Sequence, residues 1–226
     1  MEELKQELVA CRRCPRLVEW RERIGVEKRR SFRDWEYWAR PVPGFGDPAG
    51  RLLVLGLAPA AHGANRTGRI FTGDRSGDWL YAALHRAGFA NQPTSTHADD
   101  GLELRDVWVT SAVKCAPPDN KPLPDERDAC ACFVRRELAL LPNVRAVVCL
   151  GRFAFDAAVR LLRDSGIALP TPLPRFGHGV VIPVAGGPAI VCSYHPSQQN
   201  TFTGRLTEPM LDAVFAAARG VIESGS

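Results

Sequence analysis

The chain has 226 residues, of which 45% are hydrophobic and 24% charged, with a formal net charge of +4. An apolar fraction of this size excludes a globally disordered chain. No window approaches the ~18 consecutive apolar residues of a membrane span, and residues 1–17 lack the apolar core of a signal peptide. We expect a soluble cytoplasmic protein whose mild basicity is compatible with a nucleic-acid partner.

The first 40 residues are charged and helical in character, and a Pro- and Gly-rich connector at 41–48 ends them. A basic run, Lys28-Arg29-Arg30, lies in this region. It either contacts phosphates or, as such runs more often do, forms a solvated helix face.

Four short apolar runs after the connector predict buried strands, at 52–57, 107–113, 144–150 and 189–194. Each is rich in β-branched residues or leucine and ends in Gly, Pro or a polar cluster. Apolar residues at helical spacing predict helices over 80–87, 130–141, 155–162 and 211–218. The Pro-rich stretch 170–188 indicates a loop or short hairpin.

Continuous apolar strands that alternate with helices are typical of a parallel sheet covered on both faces. The sequence therefore predicts an α/β fold, and one shared set of strand-end loops predicts a single domain over residues 1–226. In such folds the active site lies at the carboxyl ends of the strands. The segments there are 58–74, 114–121, 151–153 and 195–205, and three of the four are rich in polar residues and in Gly or Pro.

The seven cysteines are too few for a disulfide scaffold, and in a reducing compartment they are free or bound to metal. They are Cys11, Cys14, Cys115, Cys130, Cys132, Cys149 and Cys192. A C-x-x-C pair and two distant thiolates can form a four-thiolate site for zinc or a [4Fe–4S] cluster; the alternative is unlinked buried thiols. The last two lie inside apolar strands and are interpreted as core residues.

The loop after the first predicted strand is rich in small residues, which let a ligand approach the backbone closely. It contains neither a P-loop nor G-x-G-x-x-G, so ATP and dinucleotides are not indicated. Phe71 in this loop is either a stacking platform for a base or a core anchor. Asp74 is either a catalytic base or the cap of the following helix, a role for which Ser76 competes.

The loop after the last predicted strand begins with His195, followed by amides and hydroxyls. A lone histidine is more often structural. Its place at the carboxyl end of a strand makes this one a candidate for chemistry.

Three of these loops contain longer motifs: GLAPAAHGANRTGRIFTGD at 56–74, KCAPPDNKPLP at 114–124 and HPSQQNTFTGRL at 195–206. Together with CRRCPRL at 11–17, they resemble the uracil-DNA glycosylase superfamily, and most closely its family 5, or type b, iron–sulfur enzymes. The resemblance runs from about residue 5 to about residue 220. The first motif is the most specific, because the related family 4 has acidic residues where this chain has GLAPA.

The resemblance implies a three-layer α/β/α fold around a central four-stranded parallel sheet. It also implies a [4Fe–4S] cluster that ties distant segments together near the DNA. Cys11, Cys14 and Cys115 match the family's ligands directly. The family's spacing selects Cys130 as the fourth ligand, with Cys132 as the alternative.

The implied reaction is hydrolysis of the N-glycosidic bond of uracil in single- or double-stranded DNA, by a monomeric, monofunctional enzyme that flips the base out of the stack. His195 would stabilise the departing base, Asn120 would read the pyrimidine edge or aid the water, and Asp74 would orient water or stabilise the sugar cation. Base contacts are expected from Gly56, Ala58, Pro59, Ala60 and Phe71. DNA contacts are expected from Arg66, Arg69, Ser197, Gln198, Asn200, Thr201 and Arg205.

The small, apolar first motif leaves room for larger bases, so we expect activity on hypoxanthine and some modified bases as well as on uracil. The alternative of another class is a non-catalytic, metal-stabilised DNA-binding protein. A phosphohydrolase is disfavoured because the loops lack the carboxylate cluster that two-metal phosphoryl chemistry requires.

Overall fold

The computed structural model describes residues 1–224, in which six strands form one sheet. The strands are β1 (Phe45–Gly46), β2 (Leu52–Gly56), β3 (Val107–Ser111), β4 (Ala146–Leu150), β5 (Val181–Ile182) and β6 (Ala189–Ser193). The four five-residue strands match the four predicted runs. All of their residues are buried, because helices cover both faces, and this explains the unbroken apolar runs.

The sheet has the order β1-β3-β2-β4-β6-β5. Its four central strands are parallel, with Val54 of β2 beside Val109 of β3 and Val148 of β4. The two-residue edge strands are antiparallel to their neighbours and were not predicted as strands. The second of them, β5, lies in the Pro-rich stretch and forms a short hairpin with β6. The predicted α/β fold is confirmed, with two edge strands added to the parallel centre.

Within residues 1–224, eight α-helices surround the sheet. They are α1 (Glu2–Val9), α2 (Pro15–Glu27), α3 (Ala64–Thr67), α4 (Arg75–Arg86), α5 (Pro124–Ala139), α6 (Arg152–Asp164), α7 (Gln198–Phe202) and α8 (Glu208–Ser224), and 3-10 turns lie at Arg30–Phe32 and Pro118–Asn120. Helices α4 and α8 share one core cluster with Val54, whereas α5 and α6 share another with Leu53 and Leu55. Successive residues of β2 thus face opposite helical layers, which confirms the three-layer arrangement.

The N-terminal helices pack against α5 and the segment that follows β3. Leu4 and Leu8 of α1 lie against Phe133 of α5, and Leu17 of α2 lies against Val113, two residues beyond β3. None of the helices in the described part of the chain has the length and apolarity needed to cross a bilayer.

Candidate active site

Phe71 lies across the end of β2 in a backbone conformation that is unusual for a residue with a side chain. Its φ is +53° and its side chain is buried. A Cβ at Gly56 would stand 2.6 Å from its ring, and a Cβ at Gly77 would stand 1.8 Å from its carbonyl oxygen. The two glycines therefore permit the left-handed conformation of Phe71 and the position of its ring.

His195 follows β6 and faces this ring, with the ring centroids 6.1 Å apart and the planes inclined by 34°. Gly151 passes close to His195, and a Cβ at residue 151 would lie only 3.3 Å from the His195 Cβ. The absence of a side chain at residue 151 therefore leaves room for His195. Burial lowers the pKa of His195 to about 4, so its imidazole is neutral at physiological pH.

The His195 ring nitrogens make no hydrogen bond within residues 1–224, so they are free to meet a substrate. We call Gly56, Phe71 and His195 the base site. Two surface cavities of about 580 and 600 Å³ are lined by other residues. The base site differs from these two cavities in having the paired rings of Phe71 and His195 and an imidazole that makes no internal hydrogen bond.

Asp74 caps α4. Its Oδ1 accepts a hydrogen bond from the backbone of Gly77 at 3.0 Å, while its Oδ2 lies where a Cβ of Gly63 would be, at 1.9 Å. Ser76 does not take the cap. Burial raises the pKa of Asp74 above its ordinary 3.8, and backbone N–H groups and the charge of Arg66 oppose this rise.

The small residues of the first motif connect the base site to the cysteines. Ala58 packs against the apolar cluster that contains Cys115 and Cys130. Pro59 is buried, and the carbonyl of Ala60 accepts hydrogen bonds from the backbone at the start of α3.

Arg69 does not lie where the predicted phosphate contact requires it. Its side chain is 5% exposed and forms an ion pair with Asp100 at 2.7 Å. It also donates to Ser95 Oγ at 2.9 Å and Thr72 Oγ1 at 3.0 Å. The predicted DNA contact is wrong, because the guanidinium is used inside the protein to join the first motif to 95–100.

The predicted DNA contact of Arg66 is wrong for the same reason. The side chain is buried, and its guanidinium carbon lies 3.9 Å from the ring centroid of Phe32 and 4.1 Å from that of Trp35. It donates hydrogen bonds to the carbonyls of His62 and Gly73, at 2.8 and 2.9 Å. Arg66 thereby joins the middle of the first motif to its carboxyl-terminal end.

Asn120 is not joined to the base site. It ends the 3-10 turn after Pro117, with a φ of +55° and an exposed side chain. Its side-chain amide makes no hydrogen bond within the described residues, and no contact there links it to Asp74 or His195.

The loop after His195 is shaped by its own polar residues. Ser197 caps α7 by accepting from the backbone of Asn200 at 3.3 Å, and the Asn200 amide donates to the His195 carbonyl at 2.8 Å. Thr201 donates to the carbonyl of Gln198 at 3.3 Å. The guanidinium of the exposed Arg205 lies 4.7 Å from the Tyr194 ring centroid.

Phe202, at the end of α7, was not among the site residues predicted from the sequence. Its side chain is 69% exposed, and the guanidinium of Arg75 lies 4.6 Å from its ring centroid. An aromatic residue between two threonines in a polar loop was the available signal. An exposed apolar ring at the tip of a helix is suited to contact a partner.

The structure brings four cysteines together from three parts of the chain. Cys11 and Cys14 lie between α1 and α2, Cys115 follows β3, and Cys130 lies on α5. Burial raises the pKa of Cys115 to about 11 and that of Cys130 to about 12, and neighbouring thiols of the four add to both shifts.

Cys132 lies beside Cys11, outside the apolar cluster that contains Cys14, Cys115 and Cys130. Its Sγ accepts from Arg13 at 3.0 Å, and it packs against the α1 cluster of Leu4 and Leu8. Arg21, which sequence analysis missed, is 2% exposed and donates to Cys115 Sγ at 2.9 Å, while its Nε has no partner. No three His, Cys, Asp or Glu side chains in residues 1–224 form a ready-made metal site.

Comparisons with known proteins identify the family. The model of the uracil DNA glycosylase superfamily matches residues 43–219. A type-5 uracil-DNA glycosylase of Mycobacterium tuberculosis is 56% identical over 96% of this chain and 80% of its own length. The chain belongs to the type-5 family of the uracil-DNA glycosylase superfamily. Type-5 relatives from Thermus thermophilus and Mycobacterium leprae are 54% and 53% identical, over 95% and 96% of this chain and 94% and 93% of theirs.

Replacing Asp100 by alanine tests the internal role of Arg69. Asp100→Ala leaves a buried guanidinium without its counter-charge, so we expect a loss of about 3–5 kcal/mol in the free energy of unfolding, measured by urea titration. Asp99→Ala, at the exposed neighbour, is the matched control and should change stability by less than ~0.5 kcal/mol. Equal stabilities of the two variants would contradict the assignment.

Proposed function

We propose that this protein is a DNA glycosylase that hydrolyses the N-glycosidic bond of uracil in DNA and leaves an abasic site. We also propose that residues 1–226 form one domain that acts as a monomer. The type-5 relatives bear the name of this activity. The observation that carries the proposal is a neutral, unpartnered His195 facing the ring of Phe71 at the carboxyl ends of β2 and β6.

The target base must leave the DNA stack, which costs a few kcal/mol, and the ring of Phe71 offers a replacement surface. The centroid separation of 6.1 Å puts a base stacked on Phe71 within reach of His195. Gly56, Ala58, Pro59 and Ala60 have no bulky side chains, so the base edge can approach the backbone there.

His195 stabilises the leaving base. As the glycosidic bond breaks, negative charge develops on the uracil oxygens and positive charge on the sugar. A neutral imidazole has one N–H donor, and the absence of an internal hydrogen bond within residues 1–224 leaves that donor for the base oxygen. Because its pKa is about 4, the imidazole donates while neutral across the physiological range.

Asp74 stabilises the sugar cation or orients the attacking water. In the stretch Ala60-Ala61 the motif offers no carboxylate, and Asp74 is the acidic residue that packs against the same loop, at Gly63. Its Oδ1 is used by the helix cap, so Oδ2 is the oxygen assigned to catalysis. We assign no step to Asn120.

DNA binding involves the loop 197–205. Gln198 and Arg205 are exposed there, while Ser197, Asn200 and Thr201 shape the backbone that presents them. The exposed ring of Phe202 is suited to enter the gap that the flipped base leaves.

The four grouped cysteines fit a [4Fe–4S] cluster. Cys11, Cys14, Cys115 and Cys130 supply four thiols, and the buried cation of Arg21 suits the negative charge of a thiolate-bound cluster. Such a cluster supplies a covalent link between the N-terminal helices, β3 and α5. Through Ala58 this link supports the loop that lines the base site.

A monofunctional mechanism agrees with the state of Lys114. The side chain is 1% exposed, and its Nζ is paired with Glu137 and Thr110. A buried ammonium in an ion pair offers no free amine for a Schiff base with the abasic sugar.

A non-catalytic DNA-binding protein is the second candidate function. It would use the cysteines and the exposed basic residues but has no need for a neutral imidazole facing an aromatic ring.

An excision assay separates the two candidates. Duplexes with one uracil or one hypoxanthine should both gain alkali-labile sites, and a thymine duplex should not. Excision of uracil but not of hypoxanthine would limit the substrate range to uracil. Excision of neither base would favour the non-catalytic DNA-binding protein.

Changes at His195 and Asp74 should affect chemistry more than binding. We expect His195→Ala to lower the single-turnover rate on uracil DNA by roughly 10²–10³-fold, and His195→Gln to recover part of the loss through its amide donor. Asp74→Asn, which can still cap α4, should lower the rate by roughly 10²-fold. A wild-type rate for Asp74→Asn would remove its catalytic role.

The pH profile assigns the groups. The Asp74 carboxylate must be ionised for catalysis, and burial raises its pKa above 3.8. The wild-type rate should therefore decrease as the pH is lowered through the pKa of Asp74, while His195 protonates only near pH 4. The acid limb should persist in His195→Gln and disappear in Asp74→Asn. A limb that disappears in His195→Gln instead would contradict the assignment.

Serine substitution distinguishes the two candidate fourth ligands. Cys130→Ser should lose the brown colour and the visible absorbance of an iron–sulfur cluster, and Cys132→Ser should keep both. Iron and acid-labile sulfide per chain, measured on the purified variants, give the same comparison without activity. Loss of iron in Cys132→Ser alone would reverse the assignment, and a colourless wild type with bound zinc would refute the cluster.

A further inference from the structure

The segment 28–39, between α2 and β1, lies along the first motif, and we call it the strap. The backbone N–H groups of Trp38 and Ala39 donate to the carbonyls of Arg66 and Asn65, at 3.0 and 2.9 Å. The Tyr37 hydroxyl is hydrogen-bonded to His62 Nδ1 at 3.0 Å. The strap is thereby fixed to the loop that contributes Ala60 and Phe71.

Arg66 is the main side-chain attachment of the strap. Its guanidinium lies between the rings of Phe32 and Trp35, each about 4 Å from the guanidinium carbon, and the same group donates to the carbonyls of His62 and Gly73 in the first motif. Cation–π contacts are stronger when the guanidinium is desolvated, as the buried Arg66 is. Arg66 is therefore a positioning residue that couples the strap to the base site.

The strap presents three arginines to solvent. Arg29, Arg30 and Arg33 are exposed, and none has a carboxylate partner in residues 1–224. The backbone N–H of Arg29 donates to the Tyr37 hydroxyl at 3.4 Å, and that hydroxyl is hydrogen-bonded to His62, which places Arg29 beside the first motif. The strap's own acids, Asp34 and Glu36, are exposed and form no ion pair with these arginines.

We propose that Arg29, Arg30 and Arg33 bind backbone phosphates of the DNA strand beside the base site. The three arginines belong to a different chain segment from the loop 197–205, and they take the phosphate-binding role that the buried Arg66 and Arg69 cannot have. Exposed guanidinium groups around a partly exposed tryptophan, here Trp35, are typical of surfaces that follow a nucleic-acid backbone. This inference rests on the proposed function for the identity of the ligand, DNA.

The salt dependence of binding measures phosphate contacts without requiring catalysis. Full-length protein is titrated against an undamaged duplex by fluorescence anisotropy at several NaCl concentrations. Each phosphate contact adds about 0.9 to the slope of log K against log salt, so Arg29→Gln/Arg30→Gln/Arg33→Gln should reduce the slope by roughly 2 to 3.

The matched control removes three exposed arginines from the opposite edge of the sheet. Arg105 and Arg145 precede β3 and β4, and Arg163 is near the end of α6, which starts at the carboxyl end of β4. Arg105→Gln/Arg145→Gln/Arg163→Gln has the same change in net charge and should keep the wild-type slope. Circular dichroism and thermal melting establish that both variants are folded.

An unchanged slope in the strap variant would overturn the proposal. Equal reductions in both variants would also overturn it, because net charge alone would then account for binding. If the slopes separate as expected while the wild type excises no uracil, the strap is a DNA surface and the glycosylase proposal fails. If uracil is excised and the slopes do not separate, only the strap proposal fails.

Discussion

The ring of Phe71 can lie across the end of β2 only because residue 56 has no side chain, and the rest of the site depends on this contact. The left-handed φ of Phe71 turns the chain so that its ring reaches Gly56 while its carbonyl passes Gly77. That same turn brings Asp74 to the start of α4. A backbone outlier of this kind costs of order 1–3 kcal/mol, which the surrounding packing offsets.

Parallel strands bring the remaining parts to the same place. The carboxyl end of β2 leads to the first motif, that of β3 to Cys115, that of β4 to Gly151 and that of β6 to His195. Gly151 permits the approach of His195, and Ala58 packs on the cysteine cluster. The base site and the grouped cysteines are thus neighbours because both lie at the carboxyl ends of the parallel strands. The segment between the N-terminal helices adds Cys11 and Cys14 there.

The sequence predicted the central strands and the long helices because their apolar patterns are continuous and strong. It missed the two-residue edge strands, whose pairing comes from β3 and β6 and has no periodic signal of its own. The place of His195 in the site followed from its position at a strand end, and the cap was one of two roles left open for Asp74. The predicted DNA contacts of Arg66 and Arg69 were wrong, because no local sequence pattern distinguishes an exposed arginine from one that is buried against Asp100 or against aromatic rings. Those partners lie about 30 residues away along the chain, so only the folded structure identifies them.

The central claim is that a flipped uracil stacks on Phe71 with its oxygen at residue 195. The most direct measurement is a crystal structure of the wild-type protein with a duplex that contains a 2′-fluoro-2′-deoxyuridine, whose glycosidic bond resists hydrolysis. The account predicts an extrahelical uracil against the Phe71 ring, an imidazole nitrogen of His195 within hydrogen-bond distance of a uracil oxygen, and Asp74 Oδ2 on the sugar side. A uracil that remains stacked in the duplex, or one bound away from Phe71 and His195, would contradict it.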